Sequence, residues 1–108
     1  MILTTTNSIE NHNIIDYLGI VTGISFNSTH SYKGKSMSFK DMFSSQKYYE
    51  AYAKGLELVK EEAFQKLQDN AKALGANAVV GVQIDIETLA TTNTLIVSIT
   101  GTAVKVAV

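Results

Sequence analysis

The chain has 108 residues and no cysteine, no proline and little charge. Absent cysteine excludes disulfide staples and thiolate metal sites. Absent proline leaves no ring-locked residue to break a helix or a strand. Charged residues make up 18%, with 9 basic against 10 acidic side chains and a net charge of −1. A nucleic-acid binder normally carries a basic excess to neutralise phosphates, so that class is not expected. No run approaches the roughly 18–20 consecutive apolar residues a bilayer span needs. The richest, Ala78-Val79-Val80-Gly81-Val82, ends at Gln83. The first basic residue is Lys33, so no basic segment precedes an apolar stretch in the manner of a secretory signal. The expectation is a cytoplasmic protein with neither membrane nor nucleic acid as partner.

What is present is apolar. Hydrophobic residues reach 45% and mean hydropathy is slightly positive at +0.08, which excludes disorder. The length fits one domain, residues 1–108. So short a chain leaves much of its surface in water, and the excess apolar content needs somewhere to go.

Residues 47–72 hold ten of the nineteen charges, and residues 75–108 hold three. This charged middle reads as one long helix from about Gln46 to Leu74. Tyr49, Tyr52, Leu56, Val59, Ala63, Leu67, Ala71 and Leu74 fall at steps of three or four, a single stripe that Leu58 and Phe64 widen. Glu50–Lys54 and Glu62–Lys66 are acid-to-base pairs at i,i+4. Ser44 or Ser45 suits the N-cap, and Gly75 suits the left-handed position after the last turn. Gly55 is the weak point, where a bend or break is expected in a helix about 43 Å long. Ser38-Phe39-Lys40-Asp41 resembles a capping box and predicts a short helical turn over 38–43. Residues 27–37 read as loop.

The flanks read as strands. Val80, Val82, Ile84 and Ile86 alternate with polar partners, as do Leu95, Val97 and Ile99. The apolar phase then moves to Val104, Val106 and Val108, which predicts a β-bulge near Gly101. Residues 90–94 read as a hairpin loop, and Ile2-Leu3-Thr4-Thr5 as a short strand. In segment 14–26, Leu18, Ile20, Ile24 and Phe26 fall on one face and Ile15, Tyr17 and Val21 on the other. Both faces are apolar, as in a strand buried on both sides. One helix covers one face, so a second copy of the chain is expected on the other.

These segments carry a resemblance. Thr4-Thr5-Thr6, Ile14-Ile15-Asp16-Tyr17 and Gly19-Ile20-Val21-Thr22-Gly23 resemble the opening of the YbjQ-like family of small bacterial proteins. Ala73-Leu74-Gly75-Ala76-Asn77-Ala78-Val79-Val80-Gly81-Val82 resembles its most recognisable motif. Asp85-Ile86-Glu87 is similar to the acidic strand that follows. Val97-Ser98-Ile99-Thr100-Gly101-Thr102-Ala103-Val104 resembles its C-terminal signature. The departure is 27–47, where the family carries arginines and a paired glycine; this chain has no arginine, and Ser44-Ser45-Gln46 stand where the glycines would be. The resemblance implies an α+β, two-layer, dodecin-like subunit of order β-β-α-β-β, with an antiparallel sheet and one long helix on one face. It also implies a ring, typically of five subunits, joined through strand 14–26. Its label is heavy-metal binding, which zero cysteine weakens. In the helix-to-strand motif, Asn77 suits a turn and Gly81 a close approach to the sheet.

Candidate chemistry is sparse. Asp85 and Glu87 share a strand face about 7 Å apart. Paired carboxylates hold hard divalent cations or share acid–base work, and the competing reading is a solvated strand face. Among subunits of a ring they would meet their copies, so a divalent metal ion is the one cofactor the residues leave open. His12 and His30 are the only imidazoles; a soft-metal site wants cysteine or several histidines, so His12 is a weak ligand candidate. Ser28-Thr29-His30 lacks the context of a nucleophile elbow. Gly19, Gly23 and Gly34 form no phosphate loop. Tyr48, Tyr49 and Tyr52 read as packing residues. The expectation is a non-enzymatic, ring-forming scaffold or small-ligand binder, with a cation-binding protein or an enzyme with an inter-subunit site as alternatives.

Overall fold

The computed structural model describes residues 1–28, 31–32, 35–36, 45–89 and 94–108. In chain order the elements are β1 (Ile2–Leu3), β2 (Ile14–Ser28), β3 (Ser31–Tyr32), β4 (Lys35–Ser36), α1 (Ser45–Ala73), β5 (Ala78–Leu89) and β6 (Thr94–Val106). Four strands form one sheet in the order β1-β5-β6-β2. β2–β6 and β5–β6 pair antiparallel, while β1 runs parallel to β5. The sheet is therefore mixed where a wholly antiparallel one was expected. A parallel pair needs a long connection, which the intervening β2 and α1 supply. β3 and β4 make a separate small hairpin inside a segment expected to be loop. The helical turn predicted over 38–43 and the loop residues 90–93 lie outside the described residues. The architecture is α+β in two layers.

α1 spans 29 residues and continues through Gly55 without a break. It ends in a Schellman motif: Gly75 takes φ 84°, its N–H donates to Lys72 O, and the Ala76 N–H donates to Ala71 O. Val59, Ala63, Leu67 and Ala71 form the fully buried stripe, with Tyr52, Leu56 and Phe64 packed at its margins. Leu58 and Leu74, expected in that stripe, are half exposed. Leu58 directly precedes the buried Val59 and so points to the helix flank; Leu74 lies past the helical end.

The helix rides directly on β2. A Cβ on Gly23 would stand 2.6 Å from the backbone nitrogen of Leu67 and would also strike the Ala63 carbonyl. A polar row then ties helix to strand. Ser25 Oγ donates to Glu62 Oε2 (2.7 Å), Lys66 Nζ to Ile24 O (3.0 Å) and Asn70 Nδ2 to Thr22 O (2.8 Å). Steps of four on the helix meet the strand in descending order, so α1 runs antiparallel to β2. It packs on β2 and β6 and barely touches β5.

Three irregularities set the faces of the strands. In β2, register shifts fall between Ile14 and Asp16 and between Tyr17 and Gly19, where Gly19 has φ 130°. The two faces of 14–26 therefore mix differently from a strict period of two. Leu18 joins Val21 in the helix-side core. Tyr17, opposite Val104, shares the other face with Ile20, opposite Thr102. The third bulge lies in β5, at Gly81–Val82 opposite Gly101, and Gly81 has φ 62°, the left-handed glycine of a G1 bulge. The expected bulge near Gly101 is thus carried by its partner strand. The close approach expected at Gly81 occurs instead at Gly23 and Gly101, where a Cβ would meet Val79 at 2.5 Å.

The phase change in β6 has another cause: the buried face itself switches. Leu95, Val97, Ile99 and Ala103 face the helix. Val104 and Val106 join Ala78 and Val80 in a second cluster, against which Ile9 and Ile14 pack. The N-terminal segment therefore covers the lower part of the sheet face opposite the helix. Two interactions fasten it: Ala107 N–H donates to Asn13 O (2.9 Å), and His12 Nδ1–H donates to Ala107 O (2.9 Å). Asn77 completes this end. Its side-chain amide donates to Val106 O (3.0 Å) and accepts from Val106 N (2.8 Å), extending the β5–β6 ladder by one rung. Its expected turn role is thereby made specific.

Candidate functional site

Above the N-terminal segment, no element among the described residues covers the sheet face opposite the helix. Its rows follow from the register. Ile24, Ser98 and Asp85 lie side by side, then Phe26, Ile96 and Glu87; on the other side lie Thr22, Thr100 and Gln83. Read across the strands, the face grades from Thr22, Ile24 and Phe26 on β2, through Thr100, Ser98 and Ile96 on β6, to the amide and carboxylates of Gln83, Asp85 and Glu87 on β5. Exposure on β2 is high: Tyr17 68%, Ile20 78%, Ile24 50% and Phe26 70%. Large apolar side chains, interrupted only by Thr22 between Ile20 and Ile24, mark an interaction surface on a small monomer. The expectation that segment 14–26 is apolar on both faces is met on the open face only: the face under α1 presents Leu18, Val21, Gly23 and Ser25, and Ile15 and Tyr17, expected beside Val21, are exposed.

Asp85 and Glu87 stand on this same face, both exposed, about 7 Å apart along β5. Asp85 is flanked across the strand pair by Ser98, and Glu87 by Ile96. His12 is not near them. Its ring is tied to Ala107, nine positions along the chain from Ser98, or about 30 Å of extended backbone. A carbonyl only accepts, so the ring donates from Nδ1. The structure does not bring the three candidate ligands together. His30 and Thr29 of the Ser28-Thr29-His30 segment lie outside the described residues. Of the tyrosine group, Tyr52 packs at the core margin and its hydroxyl lies 3.4 Å from Thr88 Oγ1.

A second apolar feature was not visible in the periodicity. Ile84 and Ile86 face the helix side, opposite Ile99 and Val97. Yet they are 45% and 44% exposed, because α1 lies over β2 and β6. Below them a cavity of about 120 Å³ is lined by Leu3, Thr4, Thr5, Phe64, Val82 and Ile84. Alternation alone placed Ile84 and Ile86 in the core; only the lateral position of the helix shows that they are half open.

The fold and this face define a small two-layer α+β protein with an exposed sheet surface opposite its helix. Over residues 1–107 the chain matches the family described as "Putative heavy-metal-binding", and it belongs to that YbjQ-like family. It is also similar to the crystal structure of a protein of unknown function from Pediococcus pentosaceus. The TM-score is 0.66 at 18% identity, covering 99% of this chain and 98% of that one; a likeness at that identity shows the fold alone. The residues do not fit the family's label. The chain has no cysteine, and among the described residues no three of His, Asp and Glu lie close enough to hold an ion. Among the described residues, a soft-metal site within one chain has no donor set.

Proposed function

We propose that the protein is the repeating subunit of a cytoplasmic homo-oligomeric ring and serves as a scaffold or small-ligand binder, without catalytic activity of its own. The observation that carries this reading is the exposed strip Tyr17, Ile20, Ile24 and Phe26 on β2. Fully burying an exposed large apolar side chain stabilises by about 1.5–3 kcal/mol, so the strip, about two-thirds exposed, offers about 4–8 kcal/mol. Association costs about 4–15 kcal/mol. One such contact is marginal, whereas a closed ring gives every copy two. Five is the subunit number that the family resemblance implies. Light scattering on the purified protein tests the reading: a molar mass several times 11.7 kDa is expected, and a stable monomer contradicts it.

A second reading has its own observation. Asp85 and Glu87 share the open face with the apolar strip, two strands away. A copy covering the strip comes close to these carboxylates, and carboxylates from two chains would make up the oxygen set that a divalent cation requires. Metal content of the purified oligomer, measured by elemental analysis, tests it: a stoichiometric divalent ion is expected, and none after dialysis against that ion contradicts it.

A further inference from the structure

We propose that the N-terminal segment holds a binding site for a small aliphatic ammonium ion. This gives the small-ligand part of the reading above a chemistry, and it does not depend on the ring. An open cavity of about 660 Å³ lies at the β1 edge of the sheet. Its polar lining includes Thr4, Thr6, Ser8 and Glu10, and its aliphatic lining includes Ile2 and Ile9. The volume is that of a small-molecule site. In the strand order β1-β5-β6-β2 this edge is the one farthest from the apolar strip.

The hydroxyls of the lining have a fixed direction. Thr6 Oγ1 donates its one proton to Ser8 O (2.6 Å). The bond between Thr4 Oγ1 and Thr6 Oγ1 (2.8 Å) is therefore donated by Thr4. Thr4 Oγ1 in turn accepts from the Thr6 N–H (3.2 Å). Both hydroxyl protons are thus spent inside the row. Thr4 Oγ1, Thr6 Oγ1 and Ser8 O each keep one lone pair beyond these bonds. The row accepts and does not donate, and the Glu10 carboxylate adds negative charge beside it. A ligand that matches brings donors and positive charge. Among the described lining residues none is basic, so the lining supplies no counter-charge of its own.

The row is also held in place by the sheet. Thr4 N–H donates to Val79 O (3.0 Å), Gly81 N–H to Thr6 O (2.8 Å) and Val82 N–H to Thr4 O (3.0 Å). Acceptors fixed in advance lose little freedom on binding. The lining favours an organic cation over an inorganic one. Calcium takes about 6–8 oxygen ligands, and a bare ion makes no use of Ile2 and Ile9. An ammonium group carries three donors for the three oxygens of the row, and its alkyl chain covers the aliphatic side. Bonds from a charged donor are the stronger kind.

Amide chemical shifts of the whole protein, followed by NMR at constant ionic strength, test the site. The probes are n-butylammonium chloride, n-butanol with the same chain and no charge, and potassium chloride with the charge and no chain. The expected result is a saturable shift at Thr4, Thr6, Ser8 and Glu10 with butylammonium alone. Thr6→Val interrupts the row and is expected to weaken binding about tenfold, the effect of removing one hydrogen bond to a charged group. Glu10→Gln weakens it without touching the row, and the unligated spectra show that both variants are folded. No saturable shift with butylammonium overturns the proposal. So does an equal response to butanol or to potassium, or binding that is unchanged in both variants. Light scattering reads the oligomer separately, so a failed titration leaves that reading standing.

Discussion

Gly23 lies directly against Leu67: a methyl group on Gly23 would stand 2.6 Å from the Leu67 backbone nitrogen. This contact sets the distance between sheet and helix. Because the clash is with backbone, no rotamer change relieves it. Gly23→Ala is expected to destabilise by about 3 kcal/mol, at the upper end of overpacking effects. The urea midpoint checks this. An unchanged midpoint would mean that the helix is not seated as described.

Gly55 is the opposite case. It lies inside α1 with open space where a Cβ would go. Gly55→Ala removes a helix-interior glycine without strain and is expected to stabilise by about 0.5–1 kcal/mol. Thermal unfolding of the two variants side by side gives shifts of opposite sign.

Asn77 imitates a strand residue with its side chain, exchanging two hydrogen bonds with the backbone of the buried Val106. Asn77→Ala leaves that amide and carbonyl without these partners. A loss of about 2 kcal/mol is expected, again read from chemical denaturation. Asn77→Asp keeps the acceptor for the Val106 N–H but sets a carboxylate against the Val106 carbonyl, so it rescues little.

These three residues also show what is legible in a sequence. The helix from Gln46, the glycine cap at Gly75 and the strands on either side follow from local spacing, and each lies within a residue or two of where spacing puts it. The parallel pairing of β1 does not, because Ile2 and Leu3 meet Ala78 and Val79 only through a tertiary contact. The β2 bulges near Ile15 and Gly19 are equally hidden, and they decide that Leu18 faces the helix and Tyr17 does not. Of the candidate ligands, Asp85 and Glu87 lie on one face as their spacing requires. His12 is placed far from them by the fold of the N-terminal segment. The openness of Ile84 and Ile86 depends on where the helix lies across the sheet, and no pattern within β5 records that.

The carboxylates carry a prediction of their own. If Asp85 and Glu87 bind a divalent ion between copies, that ion stabilises the assembled native state and raises the melting temperature. At an ion concentration of 100 times the dissociation constant the gain is about 2.7 kcal/mol. Asp85→Asn with Glu87→Gln is expected to abolish the shift while leaving the ion-free melting temperature close to that of the parent. An ion-induced shift that survives the double substitution places the ion elsewhere.

The central claim is that the apolar strip on β2 is covered by another copy. The most direct measurement is the molar mass in solution of the parent chain beside Ile20→Asp, which puts a charge on the most exposed isoleucine of the strip (78%). The account predicts a parent several times heavier than 11.7 kDa, and a folded variant shifted to the mass of one chain. A parent that remains at the mass of one chain across concentration, or an Ile20→Asp oligomer as large and as stable as the parent's, would contradict it.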